Sequence, residues 1–150
     1  MEEQQRVLSL DVGTKTIGVA VSDPLGITAQ GVGVIRRRDL TLDLEEIDEI
    51  VKLYNAGGFV VGYPMNMDGT TGFQAKFVDV FVERLKALGL PIALEDERLT
   101  TKIAEAAMIS GNVRRDKRKL LIDQQAAIII LQGYLDRKRR TGLSNGKDPY

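Results

Sequence analysis

The chain contains no cysteine, no histidine and no tryptophan. Without thiols there is neither a disulfide framework nor a thiolate site, which suits a reducing cytosol; a cytoplasmic location is expected. Without imidazole there is no histidine-ligated zinc centre, no Ser-His-Asp triad and no histidine general base. Any hydrolytic chemistry therefore falls to carboxylates, lysine, hydroxyls or a hard metal ion. Aromatic residues make up only 5% of the chain, and no stacking motif of the RNA-binding type is visible. Long apolar runs are missing as well. The longest, AAIIIL at 126–131, is far too short to span a membrane, and the polar start MEEQQR carries no apolar signal segment. No membrane partner is expected.

What is present is an ordinary globular composition: 150 residues, 43% hydrophobic and 28% charged. That length predicts a single domain over 1–150, with flexible ends at about 1–5 and 140–150. Formal net charge is zero, but the charges are clustered. Basic runs occur at RRR (36–38), RRDKRK (114–119) and RKRR (137–140), with an acidic block, DLTLDLEEIDE, at 39–49. Such clustering gives either a basic face or merely solvated loops and helix ends.

The hydrophobic period changes along the chain. Arg6 to Val12 alternates, with Leu8 and Leu10 on one face and Val7, Ser9 and Asp11 on the other. A second strand is predicted at 16–23, across a link of only GTK, and a third at 28–37. Short links make these three an antiparallel meander. A helix follows, with Asp43 and Glu46 read as its capping box and Leu44, Ile47, Val51 and Tyr54 as its apolar stripe. AGG at 56–58 is read as its stop. FVVGY at 59–63 reads as a strand buried on both faces. Phe73, Phe77, Phe81, Leu85 and Leu88 then line a helix, and PIALEDE (91–97) is a fifth strand. A helix at 100–110, a mobile basic loop at 111–119 and a last helix from about Leu120 to Lys138 complete the pattern. The fold class is α/β: a mixed five-stranded sheet, the first three strands antiparallel and the rest parallel, with helices on both faces.

Four acidic residues, at three places in the chain, are not explained by packing. Asp11 ends the first strand, Asp96 and Glu97 close the fifth, and Asp123 lies in the predicted first turn of the last helix. Ala126, Ala127 and Ile130 follow Asp123 at i+3, i+4 and i+7, a small apolar face suited to sitting close on the sheet. Carboxylates converging there need raised pKa values or a divalent cation. An all-oxygen set suits Mg²⁺ or Mn²⁺, as one or two ions. The plainer readings stay open: a turn residue at Asp11, a helix-start charge at Asp123 and a solvated strand end at Asp96 and Glu97.

Four stretches taken together, LDVGTKTIGVAVSDPLG, VVGYPMNMDGTTG, DERLTT and DQQAAIIIL, resemble the YqgF/RuvX family of bacterial ribonuclease-H-like proteins over about residues 6–136. The resemblance implies a ribonuclease-H-like fold and a metal-dependent nuclease, a hydrolase, that processes the 5′ end of pre-16S rRNA in ribosome biogenesis. An older reading of the family is a Holliday junction resolvase acting on branched DNA; a non-catalytic RNA- or ribosome-binding factor is a third. Position by position, the family's metal-holding acids fall on Asp11, Glu97 and Asp123, with Asp96 on the opposite strand face. Lys15 and Arg98 fall where phosphates would be held, and Asn66 opens a loop over the site. Arg114 and Arg115, just before the last helix, would reach the nucleic-acid backbone. The pattern departs at Tyr63, where leucine is usual, and at Ala126, where RuvC-type resolvases carry a fourth acid. LDVGTKT also resembles the phosphate-binding turn of the actin, Hsp70 and sugar-kinase group, but that group needs two such domains around a cleft. Monomer and homodimer are both compatible with the sequence.

Overall fold

Alternation along the first 36 residues has a direct structural outcome. Strands β1 (Arg6–Val12), β2 (Thr16–Ser22) and β3 (Ala29–Arg36) form an antiparallel meander. The computed structural model describes residues 5–64, 72–96 and 115–140; for Phe73, residues 115–123 and Arg140 it describes the backbone alone. The first turn closes where the Gly13 amide donates to the Thr16 carbonyl at 2.9 Å. The second turn is held by Asp23, whose carboxylate accepts from the amides of Ile27 (2.6 Å) and Thr28 (2.9 Å). Gly26 sits there at φ 73°, a conformation glycine adopts without strain.

Strands β4 (Ala56–Tyr63) and β5 (Ile92–Asp96) add parallel to β1, giving the order β3-β2-β1-β4-β5. This is the mixed sheet expected from the pattern. Helices α1 (Leu40–Tyr54) and α2 (Phe73–Leu85, continued by a 3₁₀ turn at Lys86–Leu88) cover one face. There Leu8, Leu10, Ile17, Val19, Phe59 and Val61 pack with Ile47, Phe81 and Leu85. Helix α3 (Arg115–Arg140) covers the other face through Ala127, Ile130, Leu131, Tyr134 and Leu135, which meet Ala20 and Val60. No described helix is long and apolar enough to cross a membrane.

Three sequence expectations are corrected. Helix α1 is capped by Asp39, not by an Asp43–Glu46 box: Asp39 has extended backbone and its carboxylate accepts from the Leu42 amide at 2.9 Å. Asp43 is pulled inward instead. Its carboxylate accepts from the Arg37 guanidinium at 3.1 Å and the Arg38 amide at 3.0 Å, while Glu46 pairs with Arg38. The helix stops at Asn55, in the left-handed region at φ 53°, so Ala56, Gly57 and Gly58 already belong to β4. Finally, α3 begins at Arg115, so most of the expected basic loop is helical and Asp123 lies two turns inside the helix. Arginine, lysine and leucine are good helix formers, and charge alone does not break a helix. The reading of Asp123 as a helix-start charge falls with this correction. The helix expected at 100–110, the segment 111–114, most of the loop after Tyr63 and the chain ends lie outside the described residues.

Candidate active site

The period of two along β1 decides which carboxylate faces which layer. Leu8, Leu10 and Val12 enter the core beneath α1 and α2, so Val7, Ser9 and Asp11 turn toward α3. Ser9 proves the direction: it is fully buried and its hydroxyl donates to the Ala127 carbonyl at 2.7 Å. Asp11, two residues on, is half-buried at the end of the strand.

Helix α3 runs against β1. The Gln132 amide brackets the start of β3, accepting from the Ala29 amide and donating to the Ile27 carbonyl, each at 2.9 Å. Further along β3, the Gln124 side chain lies against Gly31, where any Cβ would collide with it. Falling helix numbers thus follow rising strand numbers. Asp123 precedes Ala127 by one turn, about 5.4 Å of pitch. Asp11 follows Ser9 by two residues, about 6.6 Å. The two offsets run the same way and are similar in size, so the backbone at Asp123 is carried toward the end of β1 that bears Asp11. Ala126, Ala127 and Ile130 are buried, as the small apolar face requires.

Across the sheet, Asp11 has glycine on either side. It pairs with Gly18 on β2. The β1–β4 register, with Leu10 opposite Val61, sets Gly62 beside it when carried one position on. Neither neighbour contributes a side chain. Beyond Gly62 comes Glu95 on β5, almost buried and paired with Arg137 of α3. Sequence reasoning missed Glu95 and its partner, which are 42 residues apart in the chain.

The structure reaches the other expected site residues unevenly. Lys15 is exposed on the β1–β2 turn, and its carbonyl accepts from the Arg37 amide at 2.9 Å. Arg115 opens α3. Glu97, Arg98, Asn66 and Arg114 lie outside the described residues, and of Asp123 only the backbone is described. Among the described residues no three metal-ligating side chains gather; of the three expected acids, only Asp11 has its side chain described. What Asp11 offers fits a hard cation: oxygen donors at a rigid strand end, partly open to solvent and not crowded from adjacent strands. On the opposite face, Tyr63 ends β4 and its hydroxyl donates to Asp79 at 3.2 Å. Desolvation, with that hydrogen bond and the Asp79 charge behind it, raises the Tyr63 pKa above its ordinary value.

With this geometry in view, a protein-family model described as "RuvX: Holliday junction resolvase" matches residues 5–137. The chain belongs to the RuvX family. A relative from Moorella thermoacetica, named "Putative pre-16S rRNA nuclease", is 51% identical over 139 residues, covering 92% of this chain and 99% of that protein. One of the same name from Clostridium novyi is 52% identical over 132 residues, covering 87% and 98%. Among solved structures, T. thermophilus RuvC in complex with a Holliday junction substrate superposes with a TM-score of 0.55 at 16% identity, covering 93% of this RuvX chain and 97% of that one. The fowlpox virus resolvase bound to Holliday junction DNA gives 0.54 at 14% identity, covering 89% and 98%. At such identities these two establish the shared fold.

Proposed function

We propose that this RuvX protein is a divalent-metal-dependent nuclease that hydrolyses RNA phosphodiester bonds, with the 5′ end of pre-16S rRNA as its substrate and a cytoplasmic site of action. The observation that supports it best is the converging course of β1 and α3, which carries Asp11 and the backbone of Asp123 toward one end of the sheet. In this reading Asp11, Glu97 and Asp123 hold the Mg²⁺ or Mn²⁺. The bound cation supplies an activated water and charge stabilisation on the leaving oxygen. The chain's own residues do the rest. The carboxylates fix the oxygen donor set on rigid elements, and with no histidine anywhere no imidazole takes the proton. Lys15, Arg98, Arg114 and Arg115 neutralise substrate phosphates, and Asn66 contacts the substrate strand. Names borne by relatives at about half identity favour RNA.

The second reading, cleavage of four-way DNA, is favoured by the family description and by the fold shared with RuvC. Against it stands Ala126, where resolvases of that type carry a further acid. One experiment separates the two: a 5′-extended 16S precursor and a four-way DNA junction, each with Mn²⁺ and with chelator. Cation-dependent cleavage of the RNA alone is expected. Asp11→Asn should abolish it while leaving the thermal melt unchanged; undiminished cleavage in that variant removes Asp11 from the site. Cleavage of neither substrate by the native protein leaves a binding factor.

A further inference from the structure

The run Arg36-Arg37-Arg38 looks uniform in sequence, yet consecutive strand positions cannot serve one face. The structure divides it. Ile35 pairs with Ile17, and both are buried beneath α1 and α2. Arg36 pairs with Thr16 and therefore belongs to the α3 face, the face of Gly18 and Asp11. Arg37 turns the other way, donating to Asp43 and to the Gly13 carbonyl and lying 5.2 and 5.5 Å from the Phe77 and Phe81 ring centres. Arg38 pairs with Glu46. Two of the three cations are thus consumed by structure. Arg36 is exposed and, among the described residues, its side chain makes no ion pair or hydrogen bond.

Position gives that free cation its meaning. Arg36 is separated from Asp11 by one intervening strand and lies two residues further along the sheet, roughly 12 Å between Cα atoms by ordinary sheet spacing. At that separation the long arginine side chain reaches the nucleic-acid backbone beside the phosphate at Asp11. The corner is also rigid: the Arg37 amide holds the Lys15 carbonyl, and the Arg37 guanidinium holds the Gly13 carbonyl at 3.0 Å. Lys15, exposed on the same turn, adds a second cation to that corner.

We propose that Arg36 is a phosphate-binding residue of the nucleic-acid track, gripping the backbone next to the reacting phosphodiester from the edge of the sheet. The inference rests on the nuclease reading above. It predicts that the substrate strand leaves the Asp11 end across β2 toward β3. Arg36 acts through its charge and its fork of donors.

The test is binding of a 5′-extended 16S precursor RNA to full-length protein across a salt series, in the Asp11→Asn background so that the RNA stays intact. Arg36→Gln should weaken binding about tenfold at 50 mM salt and lower the slope of log affinity against log salt by about 0.7–0.9, one phosphate contact. Arg36→Lys should retain most of the slope. Arg84 is the matched control: also exposed and without a described side-chain partner, but on α2 across the sheet. Arg84→Gln should bind like the parent. With Asp11 intact, Arg36→Gln should raise KM and spare kcat. Equal losses for Arg36→Gln and Arg84→Gln, or no loss for Arg36→Gln, overturn the proposal while the nuclease reading stands. A native protein that neither binds nor cuts the RNA overturns both.

Discussion

Ser9 and Ala127 are joined by one buried hydrogen bond, hydroxyl to carbonyl at 2.7 Å, spanning 118 residues of sequence. It ties the last helix to the first strand. Asp11 lies two residues beyond Ser9, and Asp123 one turn before Ala127. A bond at this place sets how the two halves of the expected carboxylate cluster approach each other.

Removing it should separate stability from activity. Ser9→Ala deletes one buried donor and is expected to cost about 1 kcal/mol in urea unfolding. Cation-dependent cleavage should fall more than that loss of folded protein explains, because the helix is no longer fixed against β1. Cleavage that tracks the folded fraction alone would assign Ser9 to packing only.

Arg37 and Asp43 form the most deeply enclosed ion pair described, with side chains 14% and 1% exposed. Asp43→Ala strands the guanidinium and frees the Arg38 amide, and should cost about 3 kcal/mol. A double variant, Arg37→Met with Asp43→Leu, should recover part of that loss despite giving up the Gly13 contact. Denaturant curves for Arg37→Met, Asp43→Leu and the double measure the coupling. Purely additive costs would show that the pair does not act as a unit.

Asp23 makes the second turn sensitive to acid. Hydrogen bonds from backbone amides, that of Thr28 foremost, hold its carboxyl below the ordinary value of 3.8. A lowered folded pKa means a contribution fully present above 3.8 and lost as pH falls through the folded value. The melting temperature of Asp23→Ala should therefore lie below the native one at pH 7, and the gap should narrow steadily below pH 3.8. A gap independent of pH would mean that the charge is not what holds the turn.

The meander and the parallel additions were legible because alternation and link length act locally. The same period put Val7, Ser9 and Asp11 on one face, as the Ser9 bond bears out. The N-terminus of α1 is ambiguous in sequence because Asp39 and Asp43 are equally good caps by residue type. The choice is made by Arg37, a tertiary partner that sequence spacing does not reveal. The start of α3 is not legible in the pattern because a dense run of charge reads as a loop, although it contains no helix breaker. Glu95 escaped notice for a different reason: its partner Arg137 lies on a helix that only the folded sheet brings near. Of the candidate site, sequence pattern supplied the residues, and the fold supplied the direction in which Asp11 faces.

The glycines flanking Asp11 set a limit on how this protein can be improved. A glycine inside a strand weakens the sheet, and a branched residue there ordinarily strengthens it. Gly18 and Gly62 are therefore among the first positions that selection for thermal robustness alone would change. Each such change would raise a wall beside the carboxylate, on the layer that faces α3. Robustness and access to Asp11 are thus set against each other in one row of the sheet, and a hardier variant will have to find its gains elsewhere.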